Sequence, residues 1–150
     1  MTPNALQIVR VLDTLPDDFA ALRAEASGEG YGFVEGLWDE WTAGRYAGGD
    51  ERSALFAAFS LGSLAALGAV TPDPYDPAPD LLRMRHVYVR PTFRRGGAGR
   101  ALAAALVQQG LELAPRLSLN AADTRAAAFW EAMGFHRVAT GIRRTHLLEG

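Results

Sequence analysis

The chain has 150 residues and a mass of 16.1 kDa, which suits one compact domain and leaves no room for two. Hydrophobic residues make up 49% of it and charged residues 21%, a globular composition that excludes a disordered chain. Cysteine is absent, and no two of the three histidines stand at metal-ligand spacing, so we expect no disulfide and no metal. The sequence shows no apolar run of about 18 residues and no signal-peptide pattern. We therefore expect a cytoplasmic protein without membrane contacts.

The charges are unevenly distributed along the chain. The first 80 residues carry four arginines against thirteen acidic residues, a net charge of −9, and the last 70 carry eleven against four, a net charge of +7. Six of the arginines fall within residues 83–100, where a polyanionic ligand could be held. A nucleic acid is one such ligand, but the pI near 5.9 and the absence of aromatics stacked among these arginines argue against it. We expect no nucleic-acid partner.

Apolar periodicity and turn residues predict the secondary structure in the order β-α-α-β-β-β-α-β-α-β. Strands are predicted over 6–12, 54–60, 63–71, 83–89, 117–119 and within 136–148. Helices are predicted over 16–28, 33–42 and 100–114, and in a last segment capped by Asp123. The second helix lies among glycine-rich connectors, which fits either a lid or a plain surface helix. This order predicts an α/β domain with a mixed sheet and helices on both faces.

A strand ending at Val89, an Arg/Gly-rich turn and an Ala/Leu-rich helix form the sharpest motif of the chain. Glycines let the turn point its N–H groups at an anion, and the helix adds its positive N-terminal end. The charged and flexible residues of the turn are Arg94, Arg95, Gly96, Gly97, Gly99 and Arg100. A Walker A loop is excluded because the chain has no lysine. A dinucleotide-binding fold is disfavoured because the motif comes too late in the chain.

Residues 94–99, Arg-Arg-Gly-Gly-Ala-Gly, match the R/Q-x-x-G-x-G/A motif of the GCN5-related N-acetyltransferase (GNAT) family. Val87–Pro91 resembles the end of that family's fourth strand, and Asp123–Phe135 resembles its N-x-x-A-x-x-F/L-Y-x-x-x-G-F segment. The resemblance covers about residues 80–140. It implies a GNAT fold, with a mostly antiparallel sheet of six or seven strands that splays open between strands 4 and 5.

The resemblance also implies a function, the direct transfer of an acetyl group from acetyl-CoA to an amino group through a ternary complex. The acceptor would be a small molecule or a protein, and a homodimer is a further expectation. A backbone N–H near Val89 would polarise the thioester carbonyl. The residues implied to bind acetyl-CoA are Val87, Val89, Arg94, Arg95, Gly96, Gly97, Ala98, Gly99, Arg100, Asp123, Phe129 and Trp130.

Departures from the family pattern leave the proton-transfer groups open. Trp130 stands where the family commonly has a tyrosine that protonates the leaving thiolate, and an indole is not a useful acid. Tyr88 or Tyr75 is the alternative donor. Asp80, Asp76 and His86 are the candidates for the base. An inactive module that senses acyl-CoA is therefore an alternative function.

Residues 65–76 and Leu81–Val89 also resemble small bacterial members of this family, and that resemblance implies the acceptor side of the site, His86 included. Asp73, Tyr75, Arg83 and Arg85 either line the acceptor pocket or, for Asp73 and Tyr75, only build a turn. Arg83 or Arg85 in that pocket would favour an acceptor with a carboxylate, since arginine binds carboxylates bidentately. Strand alternation places His86 on one face with Met84 and Tyr88.

Overall fold

The structure is a computed structural model that describes residues 6–47, 51–139 and 143–150. Its strands are β1 (Leu6–Val11), β2 (Ala54–Ser60), β3 (Ser63–Pro72), β4 (Leu81–Val89), β5 (Arg116–Leu119), β6 (His136–Arg137) and β7 (His146–Glu149). Its α-helices are α1 (Phe19–Gly28), α2 (Phe33–Thr42), α3 (Ala98–Leu113) and α4 (Thr124–Ala132). This is the predicted order of elements. None of the helices in the described ranges is long and apolar enough to cross a membrane.

Two helix starts differ from the prediction. Helix α1 begins at Phe19 because Pro16 lies in a preceding turn, where its carbonyl accepts a hydrogen bond from the Phe19 N–H at 2.9 Å. Helix α3 begins two residues early, at Ala98, directly after Gly97, whose φ of +87° sets the left-handed cap. The turn and the helix are therefore continuous at this point.

The seven strands form one sheet in the order β1-β2-β3-β4-β5-β7-β6. Every neighbouring pair is antiparallel except β4 and β5, which are parallel. That parallel pairing spans only Leu81–Arg83 against Arg116–Ser118, whereas β4 continues to Val89. The two strands separate beyond Arg83, which confirms the predicted mixed sheet with its opening between strands 4 and 5.

Helices cover both faces of the sheet, as predicted. One apolar core contains Leu102 and Leu106 of α3 and Trp130 of α4, and the other contains Leu22 of α1 and Leu37 of α2. Helix α3 lies close to β3 because Gly68 has no side chain. A Cβ there would lie 2.9 Å from a methyl carbon of Leu106. This approach fixes α3, and with it the turn that precedes α3, against the sheet.

A β-bulge interrupts β4 at His86. The register pairs Arg85 with Ala69 and Tyr88 with Leu67, so two residues of β4 oppose Gly68 alone, and His86 has a φ of +59°. Consequently Arg85 and His86 both bond to α2, whereas Met84 belongs to the core under α3. The prediction that Met84 shares a face with His86 and Tyr88 is wrong, because simple alternation does not hold across a bulge.

Candidate functional site

A cavity of about 1190 Å³ opens where β4 and β5 separate. Its walls come from residues 83–89 of β4, the turn before α3, the segment 119–126 and the inner side of α4, and it reaches Tyr75 and the loop before α2. This volume exceeds the range of about 300–1,000 Å³ typical of small-molecule pockets. It suits a long ligand with a second molecule beside it. Among the described residues, no cluster of three or more side chains could hold a metal ion.

The turn before α3 forms the cationic end of the cavity. Gly97 lies at the helix start, where the first N–H groups of α3 have no partner within the helix. Arg95 and Arg100 line the cavity with exposed side chains, and neither forms an ion pair within the described residues. A Cβ on Gly99 would lie 2.9 Å from Val89, so this glycine lets α3 touch β4. The residues fit a pyrophosphate, which needs backbone donors and free positive charge together.

Arg94 also lines the cavity, but its charge is already engaged. Its Nε donates to the Val89 carbonyl at 3.1 Å, and its two terminal nitrogens donate to Glu29 at 2.9 and 2.6 Å. Tyr88 donates its hydroxyl proton to the same carboxylate. Arg94, and to a lesser extent Tyr88, holds the pKa of Glu29 below its usual value. Arg94 therefore ties the turn to the end of α1, and Arg95 and Arg100 are left for a ligand.

Val87 and Val89 form the strand wall of the cavity and pack against the core under α3. The Arg90 N–H bonds to the carbonyl of Ala65 in β3 at 2.9 Å. Because successive N–H groups of a strand point to opposite edges, the Val89 N–H is directed toward the edge that β5 has left. This arrangement offers a backbone donor inside the opening, at the residue for which the family resemblance implies one.

Helix α4 supplies the facing wall. Its cap is the predicted one, with the Asp123 carboxylate accepting a hydrogen bond from the Ala126 N–H at 2.8 Å. Trp130 is 7% exposed and packs edge-on between Phe129 and Phe135, with ring centroids 5.1 and 5.3 Å away. Asp123, Phe129 and Trp130 all line the cavity. Gly96 and Ala98 do not line it, since Gly96 is exposed at the tip of the turn and Ala98 is buried beneath the helix.

A second wall of the cavity, on the α1/α2 side of the sheet, is aromatic. Tyr31 and Phe33 lie before and at the start of α2, and their rings contact each other at 5.3 Å between centroids. Both rings contact Tyr88 edge-on, at 6.0 and 6.3 Å. Burial and the bond to Glu29 raise the pKa of Tyr88 well above its ordinary value. The Tyr88 hydroxyl therefore keeps its proton, which it donates in a hydrogen bond to Glu29, and this disfavours Tyr88 as the acid for a leaving thiolate.

Of the four predicted acceptor residues, the structure brings Tyr75, Arg83 and Arg85 to the cavity but not Asp73. Asp73 is buried and accepts hydrogen bonds from Ser118 at 2.9 Å, from the Tyr75 N–H at 2.8 Å and from Arg83 at 3.4 Å. These bonds support the turn interpretation of Asp73. Arg83 also donates to the carbonyl of Arg143 at 2.6 Å. Because Arg83 is already paired, it gives no support for an acceptor with a carboxylate.

Arg85 and His86 meet a residue that the sequence analysis missed, Glu40 of α2. The Glu40 carboxylate lies 2.5 Å from Arg85, 2.9 Å from the Nε2 atom of His86 and 2.8 Å from the hydroxyl of Tyr46. Burial alone would raise the pKa of Glu40, but the bond from His86, the positive charge of a protonated His86, the bond from Tyr46 and the charge of Arg85 lower it to about 2. One signal could have identified it: Glu40 stands three residues after Leu37, on the buried side of an amphipathic helix.

The structure does not bring Asp80 to the cavity. It lies directly before β4, and its carboxylate pairs with Arg116 at 2.9 and 3.1 Å. Nine residues of extended strand, roughly 30 Å, separate it from Val89. A base must come within hydrogen-bond reach of the proton it removes, and Asp80 does not. Asp76 is likewise outside the cavity wall and pairs with Arg144 at 3.3 Å.

Comparisons with known proteins agree with this geometry. Residues 11–135 match the profile of the acetyltransferase (GNAT) family. A proposed acetyltransferase from Exiguobacterium sp. 255-15 is 28% identical and superposes with a TM-score of 0.84, over 96% of this chain and 93% of that one. A search of curated proteins gives no significant match.

Two more distant structures share the fold. The proposed acetyltransferase YncA of Salmonella typhimurium, solved with its cofactor acetyl-CoA, is 13% identical with a TM-score of 0.70, over 97% of this chain and 94% of that one. The ribosomal-protein-alanine N-acetyltransferase of Brucella melitensis is 17% identical with a TM-score of 0.70, over 96% and 99% of the two chains. At these identities the likeness concerns the fold.

Proposed function

The chain belongs to the GNAT acetyltransferase family, and from this premise we propose that it transfers an acetyl group directly from acetyl-CoA to an amino group. The observation that carries the proposal is the opening between β4 and β5, which is lined by a cationic turn before α3 and by an aromatic cluster on the α1/α2 side of the sheet. The turn suits a pyrophosphate, and the aromatic cluster suits an organic acceptor. Both molecules would be bound together, without a covalent enzyme intermediate.

Each part of the cavity has a role in this proposal. Arg95, Arg100 and the first N–H groups of α3 hold the pyrophosphate, and the Val89 N–H holds the carbonyl oxygen of the acetyl group. Acetyl-CoA, when bound, supplies a thioester carbon open to attack. Trp130 closes the wall beside it and contributes packing, because its indole cannot donate a proton near neutral pH.

The acceptor pocket supports an amine with an apolar or aromatic body. Tyr31, Phe33 and Tyr75 present ring surface there, and the two β4 arginines of the cavity wall, Arg83 and Arg85, are paired with Asp73 and Glu40. An ammonium group can also rest on such rings before it loses its proton. This pocket would take a small amine or the amino group of a protein chain.

A binding module that senses acyl-CoA without turnover is the alternative, and the observation that favours it is Trp130 in place of the usual tyrosine. The two functions differ in the release of free thiol. Acetyl-CoA should bind in calorimetry under both, but thiol release should depend on the added amine only if the protein is an enzyme. A panel of aromatic, aliphatic and peptide amines tests this, and binding without release by any of them would favour the sensing module.

The cationic turn can be tested separately. Arg95→Ala and Arg100→Ala should each weaken acetyl-CoA binding, since loss of one charge-assisted contact costs about 1.5–3 kcal/mol. The loss should shrink at high salt because screening weakens the contact in the wild type. Arg137→Ala is the matched control, since Arg137 is exposed and lies outside the cavity wall. Equal affinity in all four proteins would contradict the assignment of the turn.

A further inference from the structure

The hydrogen bonds around Glu40 fix where the ring of His86 carries its proton. An ionised carboxylate only accepts hydrogen bonds, and Glu40 receives them from Arg85, from Tyr46 and from the Nε2 atom of His86. The low pKa of Glu40, about 2, keeps it ionised at any working pH. The Nε2 atom of His86 must therefore hold a proton. Without that proton, two acceptor atoms, Nε2 and a carboxylate oxygen of Glu40, would face each other at 2.9 Å.

The other ring nitrogen of His86 is unused. Its Nδ1 atom is buried and, within the described residues, has no hydrogen-bond partner. A second proton there would be a buried donor without an acceptor, which is costly. An unprotonated Nδ1 atom with a free lone pair is the state of lower free energy. The β-bulge holds this ring at the cavity wall, one residue before Val87.

We propose that Glu40 and His86 act as a pair in which Glu40 positions the imidazole and the Nδ1 atom of His86 takes the proton of the acceptor ammonium. The proposal rests on the proposed function, because it assigns the proton acceptor of that same reaction. A carboxylate that holds one ring nitrogen and leaves the other as a base is a recurrent arrangement in catalysis. No residue of α2 was a candidate in the sequence analysis.

The step balances without a further reactant. The ammonium gives one proton to Nδ1 through a water that enters beside the ring, because Nδ1 is buried and the ammonium does not contact it directly, and the neutral amine gains a lone pair. That lone pair forms the new C–N bond to the acetyl carbon, and the C–S bond breaks with its electron pair on sulfur. The nitrogen loses its second proton as the amide forms, and the thiolate takes up one. The proton on Nδ1 returns to solvent before the next cycle.

The charged groups around the imidazole are few, which makes its pH dependence simple. Glu40 contacts it from α2, Arg85 precedes it on β4, and Tyr46 reaches the same carboxylate from the segment after α2. On the β3 side, the residues opposite the bulge are Leu67–Ala69, which do not titrate. Removal of the Glu40 charge therefore removes the principal counter-charge of a protonated ring.

The first test reads the tautomer and needs no activity. In ¹⁵N-labelled protein, long-range ¹H–¹⁵N correlation separates protonated from bare ring nitrogens, and His86→Gln identifies the signals of this ring. At about pH 8 we expect a protonated Nε2 and a bare Nδ1 in the wild type, and a mixture of tautomers in Glu40→Gln. A wild-type ring protonated on Nδ1 would overturn the proposal.

The second test reads the chemistry with an amine that the wild type acetylates. Glu40→Gln should lower kcat at least tenfold, leave the KM for acetyl-CoA within about twofold, and move the acid limb of the pH profile to lower pH. Glu35→Gln is the matched control, since Glu35 lies on the same helix, is exposed and pairs with Arg23. It should keep kcat within about twofold and the wild-type profile.

The outcomes separate this inference from the proposed function. If Glu40→Gln and Glu35→Gln give the same kcat and the same pH profile, the pair is not the proton acceptor, although the protein remains an acetyltransferase. If the wild type binds acetyl-CoA and acetylates no amine, the proposed function fails and the inference fails with it. If Glu40→Gln does not fold, the wild-type tautomer and a loss of at least tenfold in the kcat of His86→Gln decide the question.

Discussion

Gly97 combines a left-handed backbone with a place at the start of α3, so its substitution affects the protein even without a ligand. With φ at +87°, a side chain with a Cβ is strained, and we expect Gly97→Val to cost about 1–3 kcal/mol of unfolding free energy. The dihedral angle therefore predicts that Gly97→Val loses stability as well as ligand binding.

Chemical denaturation without ligand measures the effect. Gly96→Ala is the control, because Gly96 has no positive φ and a Cβ there would lie 3.4 Å from the Phe93 carbonyl oxygen. It should lose less stability than Gly97→Val. Equal stability of Gly97→Val and the wild type would show that the loop relaxes freely.

Glu40 should also contribute to stability in acid. Its pKa is about 2 in the folded protein against an ordinary value near 4.5, so its contribution is complete above about pH 5 and is lost as the pH falls toward 2. The shift corresponds to about 3 kcal/mol at most, since bonds to Tyr46 and His86 rearrange on protonation. Unfolding free energies between about pH 6 and 2 should fall less steeply in Glu40→Gln than in the wild type. Identical slopes would contradict the assigned contacts.

The arginines show what sequence reasoning could and could not reach at this scale. The six arginines of residues 83–100 look alike in the sequence, where they indicate a site for a polyanion. In the structure, Arg83, Arg85, Arg90 and Arg94 pair with Asp73, Glu40, Glu25 and Glu29, respectively. Of these six, Arg95 and Arg100 form no ion pair within the described residues, and the exposed Arg125 of α4 also lines the cavity without one. The partners of the four paired arginines lie up to 65 positions away, and no local pattern identifies such pairs.

At the scale of elements, α2 carries a glycine whose replacement should stabilise the protein. Gly36 lies within α2, has no positive φ, and a Cβ there would lie 3.5 Å from the Cε1 atom of His86, an ordinary contact. Alanine has the higher helix propensity, so Gly36→Ala should add about 0.5–1 kcal/mol. Thermal unfolding measures this gain. Gly68→Ala should instead lower the stability, because a Cβ there would lie 2.9 Å from a methyl carbon of Leu106. A destabilised Gly36→Ala would show that the His86 ring fits α2 more tightly than the distance indicates.

The elements themselves were largely predictable because their signals are local. Alternation, apolar spacing and turn residues predict β2, α2 and the cap at Asp123 to within a residue or two. The bulge at His86 was not predictable, since it depends on the register between β3 and β4. It changes which side chains share a face, and for that reason the partnership with Glu40 also escaped the sequence analysis.

At the scale of the whole molecule, acetyl-CoA should raise the thermal stability by mass action. A ligand at one hundred times its Kd adds about 2.7 kcal/mol. For a chain of 150 residues this corresponds to a rise in Tm of roughly 5–10 °C. The rise should be smaller in Arg95→Ala at the same ligand concentration and unchanged in Arg137→Ala. No change in the wild-type Tm at saturating acetyl-CoA would contradict the proposed binding site.

The uneven distribution of charge has a consequence for how the chain is made. Six ion pairs join acidic residues of the first 80 positions to arginines of the last 70. On the ribosome the first part emerges with a net charge of −9 and without these partners. Its self-repulsion opposes compaction until β4 and the residues after it follow. The acidic first part therefore lacks its arginine partners until the last 70 residues have been synthesised. We expect the domain to fold late in translation and as one unit.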